Sequence, residues 1–353
     1  MSLVAPVMTA SVSFIAVLLA LPLLIRLAPR LGLLDRPDAR KRHRGEVPLV
    51  GGLALFVGLA VAYLVNHYGD ARLAWMLGGG LLLVAVGFFD DRQEVSTLLR
   101  FAVQTAACLL MALGADVYLR DFGQLLWAGT LPLGWAAIPV TVFCVVGVTN
   151  ALNMIDGMDG LSASISLMCL AGLYAALRFS GAAVGMPELP ALAGGLLAYL
   201  LFNLRLPWRP RALAFFGDAG TLLLGFLLGW MLVQYSQGPA RVIAPVTALW
   251  LLAVPLMDTV FVMIKRKRAG QPMTGADREH LHHAFLRSGH SVTATLLLMA
   301  LLASLLAGTG LALERFGVPE YLSYYLFLAA CGLYYALMSR TWRTRRFLGR
   351  AIR

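Results

Sequence analysis

The stretch VTVFCVVGVTNALNMIDGMDGLSASISLMCLAGLYAAL, residues 140–177, decides the fold because two long apolar runs flank a short acidic segment. Each run approaches the roughly 20 residues that a helix needs to cross the hydrocarbon core of a bilayer. Between the runs lie Asp156 and Asp159, each followed by a glycine. Carboxylates at the edge of lipid-soluble helices are energetically costly, so their presence predicts a functional site.

The composition of the whole chain agrees with this stretch. Its 353 residues are 59% hydrophobic and only 13% charged, whereas soluble domains carry about 25% charged residues. The apolar segments are continuous rather than alternating, which indicates helices and argues against a β-barrel. We therefore expect one all-α polytopic membrane domain over residues 1–353. About eleven transmembrane helices are predicted, at 4–26, 47–66, 73–89, 98–115, 134–150, 161–178, 189–204, 213–235, 242–264, 293–313 and 321–339.

The basic residues predict the orientation in the membrane. Of the 29 lysines and arginines, 24 fall in the loops and C-terminal tail on one side, and five arginines fall on the other. The positive-inside rule then places the C-terminus in the cytoplasm and the N-terminus outside it, which for a bacterial inner membrane is the periplasm. This bias accounts for the net charge of +11 without a nucleic-acid partner. The cytoplasmic loops expected to form the site are 27–46, 90–100, 150–160, 204–214 and 265–291.

Acidic motifs fall at span ends on this same side. Asp90 and Asp91 end the third span, and Asp218 begins the eighth. Asp156 and Asp159 are spaced i, i+3, so a helical turn would put both on one face. Alternatively, Asp90 and Asp91 stop a span at the headgroup boundary, and the other carboxylates cap helix starts.

The loop 265–291 carries the motif DREHLHH, with His280, His282 and His283. A structural zinc site is disfavoured because the H-x-H-H spacing lacks a further ligand at familiar zinc spacing. Binding of a phosphate or a sugar is the preferred interpretation of the histidines.

Clustered carboxylates, histidines and arginines at a membrane surface indicate phosphate chemistry. Mg²⁺ binds through one or two acidic groups plus substrate phosphates, and arginine and histidine bind phosphate oxygens. The residues alone therefore predict Mg²⁺-dependent phosphoryl-type transfer at the cytoplasmic leaflet. The rival class is a cation-coupled transporter, which predicts charges near mid-span and an internal repeat. The motif charges lie at span ends instead.

Four motifs in order resemble the polyprenyl-phosphate N-acetylhexosamine-1-phosphate transferases: DD at 90–91, NALNMIDGMDGL at 150–161, FFGDAGT at 215–221 and HLHH at 280–283. The early loop LGLLDRPDARKRHRGEVPLVGG, residues 31–52, also looks like the first cytoplasmic loop of that family. The HLHH form is similar to the bacterial branch that transfers GlcNAc-1-phosphate to undecaprenyl phosphate. The peptidoglycan branch tends to show three consecutive histidines followed by Phe-Glu, which this chain lacks.

The resemblance implies a reaction in which UDP-GlcNAc and undecaprenyl phosphate give undecaprenyl-pyrophosphate-GlcNAc and UMP, as a first step of O-antigen or related surface-glycan synthesis. The alternatives left open are UDP-FucNAc, UDP-QuiNAc or UDP-MurNAc-pentapeptide as donor. The implied cofactor is Mg²⁺, with Mn²⁺ as a substitute. Membrane lipids surround the chain, and a homodimer is expected by analogy.

The resemblance also implies roles for particular residues. Asp218 would be the chief Mg²⁺ ligand, Asp91 would help to hold the metal, and Asp90 would act as the base or the positioner for the lipid phosphate. The implied nucleotide-sugar pocket consists of Asn153, Asp156, Asp159, Phe215, Arg266, His280, His282 and His283. The implied binding residues for the lipid phosphate are Arg100, His43 and Arg44. The run FNLRLPWRPRALAFFGD, residues 202–218, departs from the compact FNxxPA form of the family, which leaves Asn203 as a weaker candidate.

Overall fold

A computed structural model describes residues 4–36, 45–127, 129–181, 185–271 and 279–351. The chain is helical almost throughout. Within these ranges one small sheet pairs β1 (Leu34–Asp35) with β2 (Val47–Pro48) in antiparallel register. The helices are α1 (Val4–Leu31), α2 (Gly51–Asn66), α3 (Ala71–Arg92), α4 (Thr97–Leu109), α5 (Ala137–Ile155), α6 (Leu161–Ser180), α7 (Glu188–Asn203), α8 (Gly217–Ser236), α9 (Pro245–Leu251), α10 (Ala253–Arg268), α11 (Leu281–Arg287), α12 (Val292–Arg315) and α13 (Glu320–Ala351). A π-helical turn, Leu110–Gly114, extends α4.

The prediction of an all-α polytopic membrane protein is confirmed. Within the described residues, eight helices are long and apolar enough to cross a membrane, and α9 with α10 form a ninth candidate that is bent by 79°. The apolar helices α2 and α7 have 16 residues each, which makes them about 24 Å long. Every predicted span falls on one of these elements, while the number that cross and the orientation of the termini stay predictions.

The ninth predicted span differs from a simple helix because of a proline. Leu252 leaves the helical region with φ −113° and ψ 24°, and Pro255 follows in the first turn of α10. A proline has no N–H to donate, and its ring clashes with the carbonyl four residues earlier. The bend separates α9 from α10, and Asp258 of α10 is fully buried.

Helix α8 is the centre of the bundle. All its residues from Ala219 to Ser236 are buried, and α2, α3 and α5 pack against it. Elsewhere large apolar side chains such as Leu19, Phe143 and Leu297 point outward with exposed fractions of 70%, 78% and 65%. An apolar exterior of this kind is expected for a protein surrounded by lipid tails.

Small residues allow α2 and α3 to lie close to the start of α8. A Cβ at Gly52 would lie 2.2 Å from the nitrogen of Gly220, and a Cβ at Gly87 would lie 2.3 Å from the Cα of Ala219. Small residues permit such close backbone approach in membrane helices. Because Gly87 lies one turn before Asp91, this packing brings the end of α3 to the first turn of α8.

The end of the loop between α1 and α2 fixes the segment that leads into α8. The Phe215 nitrogen donates to the Pro48 oxygen at 2.8 Å, and the Gly51 nitrogen donates to the Phe215 oxygen at 2.9 Å. Gly217 then adopts φ +69°, a left-handed conformation that glycine accepts at low cost. Asp218 follows as the second residue of α8.

Candidate active site

The predicted cytoplasmic loops meet at one end of the helix bundle. The contacts join the ends of α3 and α5 to the start of α8, the end of α7 to the loop 156–160, and α11 to that same loop. The acidic motifs and the histidines, which are far apart in the sequence, therefore share one region of the fold.

Asp218 lies at the centre of this region. Its Oδ1 accepts a hydrogen bond from Nδ2 of Asn153 at 2.5 Å, and the same nitrogen lies 2.8 Å from Oγ1 of Thr221. Both Asp218 and Asn153 are half-buried. Since α5 continues to Ile155, Asn153 is helical rather than part of a loop 150–160, and a rigid helix holds it against Asp218.

Asp91 binds the backbone at the start of α8. Its Oδ1 accepts from the nitrogen of Asp218 at 2.7 Å and its Oδ2 accepts from the nitrogen of Ala219 at 3.2 Å. A helix start leaves such N–H groups without intrahelical partners and favours negative charge. Asp91 supplies the cap from a different helix, so the capping interpretation of Asp218 is wrong. Gly217 makes room, because a Cβ there would lie 2.4 Å from Oδ2 of Asp91.

Asp90 pairs with Arg100. Its Oδ2 accepts from Nη1 of Arg100 at 2.9 Å, and its Oδ1 accepts from the nitrogen of Val95 at 2.9 Å. The side chains of Asp90 and Arg100 are 8% and 24% exposed, so little water screens the pair. The arrangement closes the turn between α3 and α4, which spans only residues 93–96 rather than 90–100.

Asp156 and Asp159 do not share a helical face, contrary to the prediction from their spacing. Asp156 ends α5 with ψ 60°, and Gly160 adopts φ +80°, so the segment between them is not helical. Oδ1 of Asp156 accepts from the Ser162 hydroxyl at 2.7 Å, whereas Oδ2 of Asp159 accepts from Nε of Arg205 at 2.6 Å. Burial, followed by the charges of Asp159 and Asp218, raises the pKa of Asp156 to about 7.

Asn203, at the end of α7, holds this acidic loop through hydrogen bonds of its side-chain amide. Its Oδ1 accepts from the Gly160 nitrogen at 2.5 Å, and its Nδ2 donates to the Ala214 oxygen at 2.8 Å. Asn203 is buried, and both ends of its amide bind main chain. It therefore connects the loop 156–160 to the segment before α8 and positions both.

The histidines lie over the acidic loop. His282 is fully buried, and a Cβ at Gly157 would lie 2.5 Å from its Nε2. Neither ring nitrogen of His282 has a hydrogen-bond partner among the described residues. Burial, followed by the charges of His283 and His280, lowers the pKa of His282 well below its usual value, so the ring is neutral. The His283 ring centre lies 4.1 Å from that of His282.

His280 is held by a residue that the sequence reasoning missed. Nδ1 of His280 lies 2.8 Å from Oδ2 of Asp258, and Oδ1 of Asp258 accepts from the Leu281 nitrogen at 3.0 Å and the Tyr334 hydroxyl at 2.7 Å. A carboxylate on one ring nitrogen fixes the tautomer and orientation of a histidine. The signal was an ionisable residue in the apolar run AVPLMDTVFV, which by itself predicts a functional site.

Two of the remaining predicted site residues, Phe215 and Arg266, are described by the structure, and two are not. Phe215 is half-buried, and its neighbour Phe216 stacks on Tyr199 with ring centres 3.8 Å apart. Arg266 is buried near the end of α10. His43 and Arg44 lie outside the described residues.

The carboxylates fit a magnesium ion that also binds substrate phosphates. In the described ranges, no group of three or more histidine, cysteine, aspartate or glutamate side chains is arranged to hold a metal by itself. Mg²⁺ does not need such a cage, since it keeps waters and binds through one or two carboxylates plus phosphates. The half-buried carboxylates of Asp218 and Asp91 lie at the same helix start and supply oxygen donors of the required kind.

Comparison with known proteins supports the resemblance of the motifs. Residues 73–236 match the family described as glycosyl transferase family 4. The chain is 38% identical over 326 residues to the undecaprenyl-phosphate alpha-N-acetylglucosaminyl 1-phosphate transferase of Yersinia pestis, covering 92% of this chain and 89% of that protein. The proteins of the same name from Escherichia coli strain K12 and Haemophilus influenzae are 36% identical over 329 residues and 35% identical over 341 residues. These alignments cover 93% and 96% of this chain, and 89% and 96% of the two relatives. With identity of this level over nearly the whole length of the relatives, the chain belongs to glycosyl transferase family 4.

Proposed function

We propose that this protein transfers N-acetylglucosamine-1-phosphate from UDP-GlcNAc to undecaprenyl phosphate, giving undecaprenyl-pyrophosphate-GlcNAc and UMP. The observation that carries the proposal is that one region of the fold holds the Asn153–Asp218 pair and the acidic loop 156–160, against which His282 packs. The names of the similar proteins support the same acceptor and sugar. The product would begin O-antigen or related surface-glycan synthesis.

The donor side of the proposed site is the acidic loop 156–160 with the histidines above it. A neutral His282 offers one N–H donor and one acceptor nitrogen, and neither is satisfied by a described residue. A pyrophosphate oxygen of the donor would accept the N–H. His280, oriented by Asp258, would bind a second oxygen or the sugar.

The acceptor side is the Asp90–Arg100 pair. Because Asp90 holds Nη1 of Arg100, the guanidinium is oriented before a substrate arrives, which favours binding of a phosphate. Asp90 would thus act as the positioner of Arg100 rather than as a base. A phosphate monoester is already anionic near neutral pH and needs placement more than deprotonation.

In the proposed step, an oxygen of the acceptor phosphate forms a bond to the β-phosphorus of the donor. The bond from that phosphorus to the bridging oxygen breaks, and UMP leaves with the electron pair. A magnesium ion bound by Asp218, with Asp91 adjacent, would neutralise charge on the phosphates. The chain itself then has to position the two substrates in line.

The contacts of the aspartates support direct attack over a covalent aspartyl intermediate. Both oxygens of Asp91 accept backbone N–H bonds, and Asp90 is ion-paired with Arg100. Each contact reduces the nucleophilicity of the carboxylate by stabilising its charge. Recovery of a phosphorylated aspartate from protein incubated with UDP-GlcNAc alone would overturn direct attack.

We place this chemistry at the cytoplasmic face of a bacterial inner membrane. The basic loops that supply the site residues support that side through the positive-inside rule. UDP-sugars are cytosolic substrates, and the phosphate head of the acceptor lies at the same depth. The expected homodimer stays a prediction.

The proposal is tested with purified protein, labelled UDP-GlcNAc, Mg²⁺ and undecaprenyl phosphate. UMP release that requires all three additions is the expected result, and a panel of UDP-amino sugars identifies the preferred donor. Asp116→Asn serves as a matched control, because Asp116 pairs with Arg120 in an exposed loop remote from the site and its loss should leave the rate unchanged. Ion-coupled uptake without UMP release would support a transporter instead.

A further inference from the structure

Gln104 is a buried polar residue in an apolar helix. It lies on α4 and is 1% exposed. Its Oε1 accepts from Nδ2 of Asn150 at 2.7 Å, and the same Asn150 nitrogen donates to the Val146 oxygen at 2.8 Å. The Val146 carbonyl can only accept, so the Asn150 group facing it must be the NH₂ group. This chain of bonds assigns oxygen to the Gln104 atom that faces Asn150.

It follows that Gln104 presents its NH₂ group on its other side. That nitrogen is buried and has no partner among the described residues. Nε of Arg100 lies one turn earlier on α4, and it is also buried with no hydrogen-bond partner among the described residues. Residues at i and i+4 lie on one face of a helix, so Arg100 and Gln104 share a face of α4 and each carries an unsatisfied N–H donor.

Unsatisfied buried donors are rare in native proteins because each costs roughly 1–3 kcal/mol. Two of them on one face indicate a site whose acceptor arrives with a ligand. The guanidinium of Arg100 is cationic, so an anionic oxygen is the acceptor that this pair fits best.

Hydrogen bonds link the pair to the helices that carry the acidic motifs. Asp90 holds the other end of the Arg100 guanidinium. Asn150, the partner of Gln104, lies one helical turn before Asn153, which binds Asp218. The pair is therefore linked by hydrogen bonds to Asp90 itself and to α5, the helix that carries Asn153.

The phosphate oxygen could come from the acceptor lipid or from the nucleotide-sugar donor, and the apolar exposed side chains at the start of α4 favour the lipid. Leu98 and Leu99, in the first turn of α4, are 82% and 53% exposed, and Phe89 at the end of α3 is 53% exposed. A lipid chain can lie against these side chains, while the donor-binding loop 156–160 belongs to α5 and α6.

We propose that Gln104 Nε2 and Arg100 Nε together bind a phosphate oxygen of the acceptor lipid, which makes Gln104 a substrate-binding residue. This inference rests on the proposed function. The second donor would hold the acceptor phosphate in one orientation, with its attacking oxygen toward Asp218.

The test uses Gln104→Met, which removes the donor at similar volume, and Gln104→Glu, which keeps the oxygen that accepts from Asn150. Ligand binding is measured as the rise in melting temperature of the detergent-solubilised protein on addition of undecaprenyl phosphate or, separately, UDP-GlcNAc. We expect both variants to lose most of the shift with undecaprenyl phosphate and to keep the shift with UDP-GlcNAc. The KM for the acceptor should rise roughly 10-fold to 100-fold, the loss expected for a hydrogen bond to a charged group.

The control is Gln124→Met, because Gln124 is exposed and lies in the loop between α4 and α5, away from the site. Retention of the melting-temperature shift with undecaprenyl phosphate in both Gln104 variants would overturn the proposal. Loss of only the shift with UDP-GlcNAc would also overturn it, because the bound phosphate oxygen would then belong to the donor. If Gln104→Met does not fold, Gln104→Glu and Arg100→Lys, which lacks Nε but keeps the charge, decide by the same two shifts. Failure of the proposed function is distinguishable from failure of the Gln104 proposal, because the wild-type protein would then release no UMP.

Discussion

Substitution of Gly157 by alanine perturbs the contact between the acidic loop and the histidines with a single methyl group. The added Cβ would lie 2.5 Å from Nε2 of His282, while ordinary contacts begin near 3.4 Å. The backbone of Gly157 does not require glycine, since its φ is not positive. The substitution therefore tests the packing of loop against ring and not the backbone conformation.

The expected magnitude follows from how little the ring can move. His282 is fully buried, and the centre of its ring lies 5.8 Å from that of His280 and 4.1 Å from that of His283. Overpacking of a filled site costs about 1–3 kcal/mol. If this cost falls on the donor complex, kcat/KM for UDP-GlcNAc decreases by roughly 5-fold to 150-fold, at 1.4 kcal/mol per factor of ten.

The assay is UMP release at varied UDP-GlcNAc with saturating acceptor. Gly147→Ala is the matched control, because Gly147 lies on α5, the helix that leads into the acidic loop, and an added Cβ there meets nothing within 4 Å. The double variant Gly157→Ala/His282→Ala should be no worse than His282→Ala, because the clash is gone. A Gly157→Ala enzyme with wild-type kcat/KM, or strictly additive losses in the double variant, would refute the packing of His282 on this loop.

Three further predictions concern the carboxylates. Asp218→Asn should lower the rate of UMP release by about 100-fold or more while the protein elutes normally in detergent; near-normal turnover would remove Asp218 from the metal site. Because burial raises the pKa of Asp156 to about 7, its carboxylate forms only as the pH rises through neutrality. If activity requires the ionised carboxylate of Asp156, the initial rate should increase between about pH 6 and 8, and Asp156→Asn should lack that increase. An unchanged pH profile in the variant would show that ionisation of Asp156 does not control the rate. Asp258→Asn should reduce donor kcat/KM about 10-fold, with no further loss in a His280→Gln background, and additive effects there would show that Asp258 does not act through His280.

Much of the architecture follows from local sequence. Continuous apolar runs predict helices because a lipid-exposed backbone must satisfy its own hydrogen bonds. Glycine permits non-helical backbone conformations, and Gly160 adopts one with φ +80°. The exact ends were less predictable, as α1 and α5 both run about five residues beyond their predicted spans. Helix ends depend on tertiary contacts, such as the hydrogen bond that the Leu49 nitrogen donates to the Leu33 oxygen at 3.0 Å, just after α1.

The roles of individual aspartates could not be assigned from spacing alone. The spacing of Asp156 and Asp159 predicts a shared helical face, but each carboxylate binds a different partner in a non-helical segment. The sequence likewise suggests that Asp218 caps its own helix, whereas Asp91 of another helix provides that cap. Such pairings depend on how helices approach one another, which close glycine contacts set in three dimensions.

By itself, the sequence determined the class of fold and the kind of chemistry that its motifs support, because hydropathy and charge act on each segment independently. Only the tertiary structure decided that Asp258 orients His280, that Asn203 connects two loops, and that Gln104 presents an unsatisfied donor beside Arg100. These are relations between residues distant in the chain. They exist because hydrogen-bond partners in a buried region are chosen by distance in space, which no local pattern encodes.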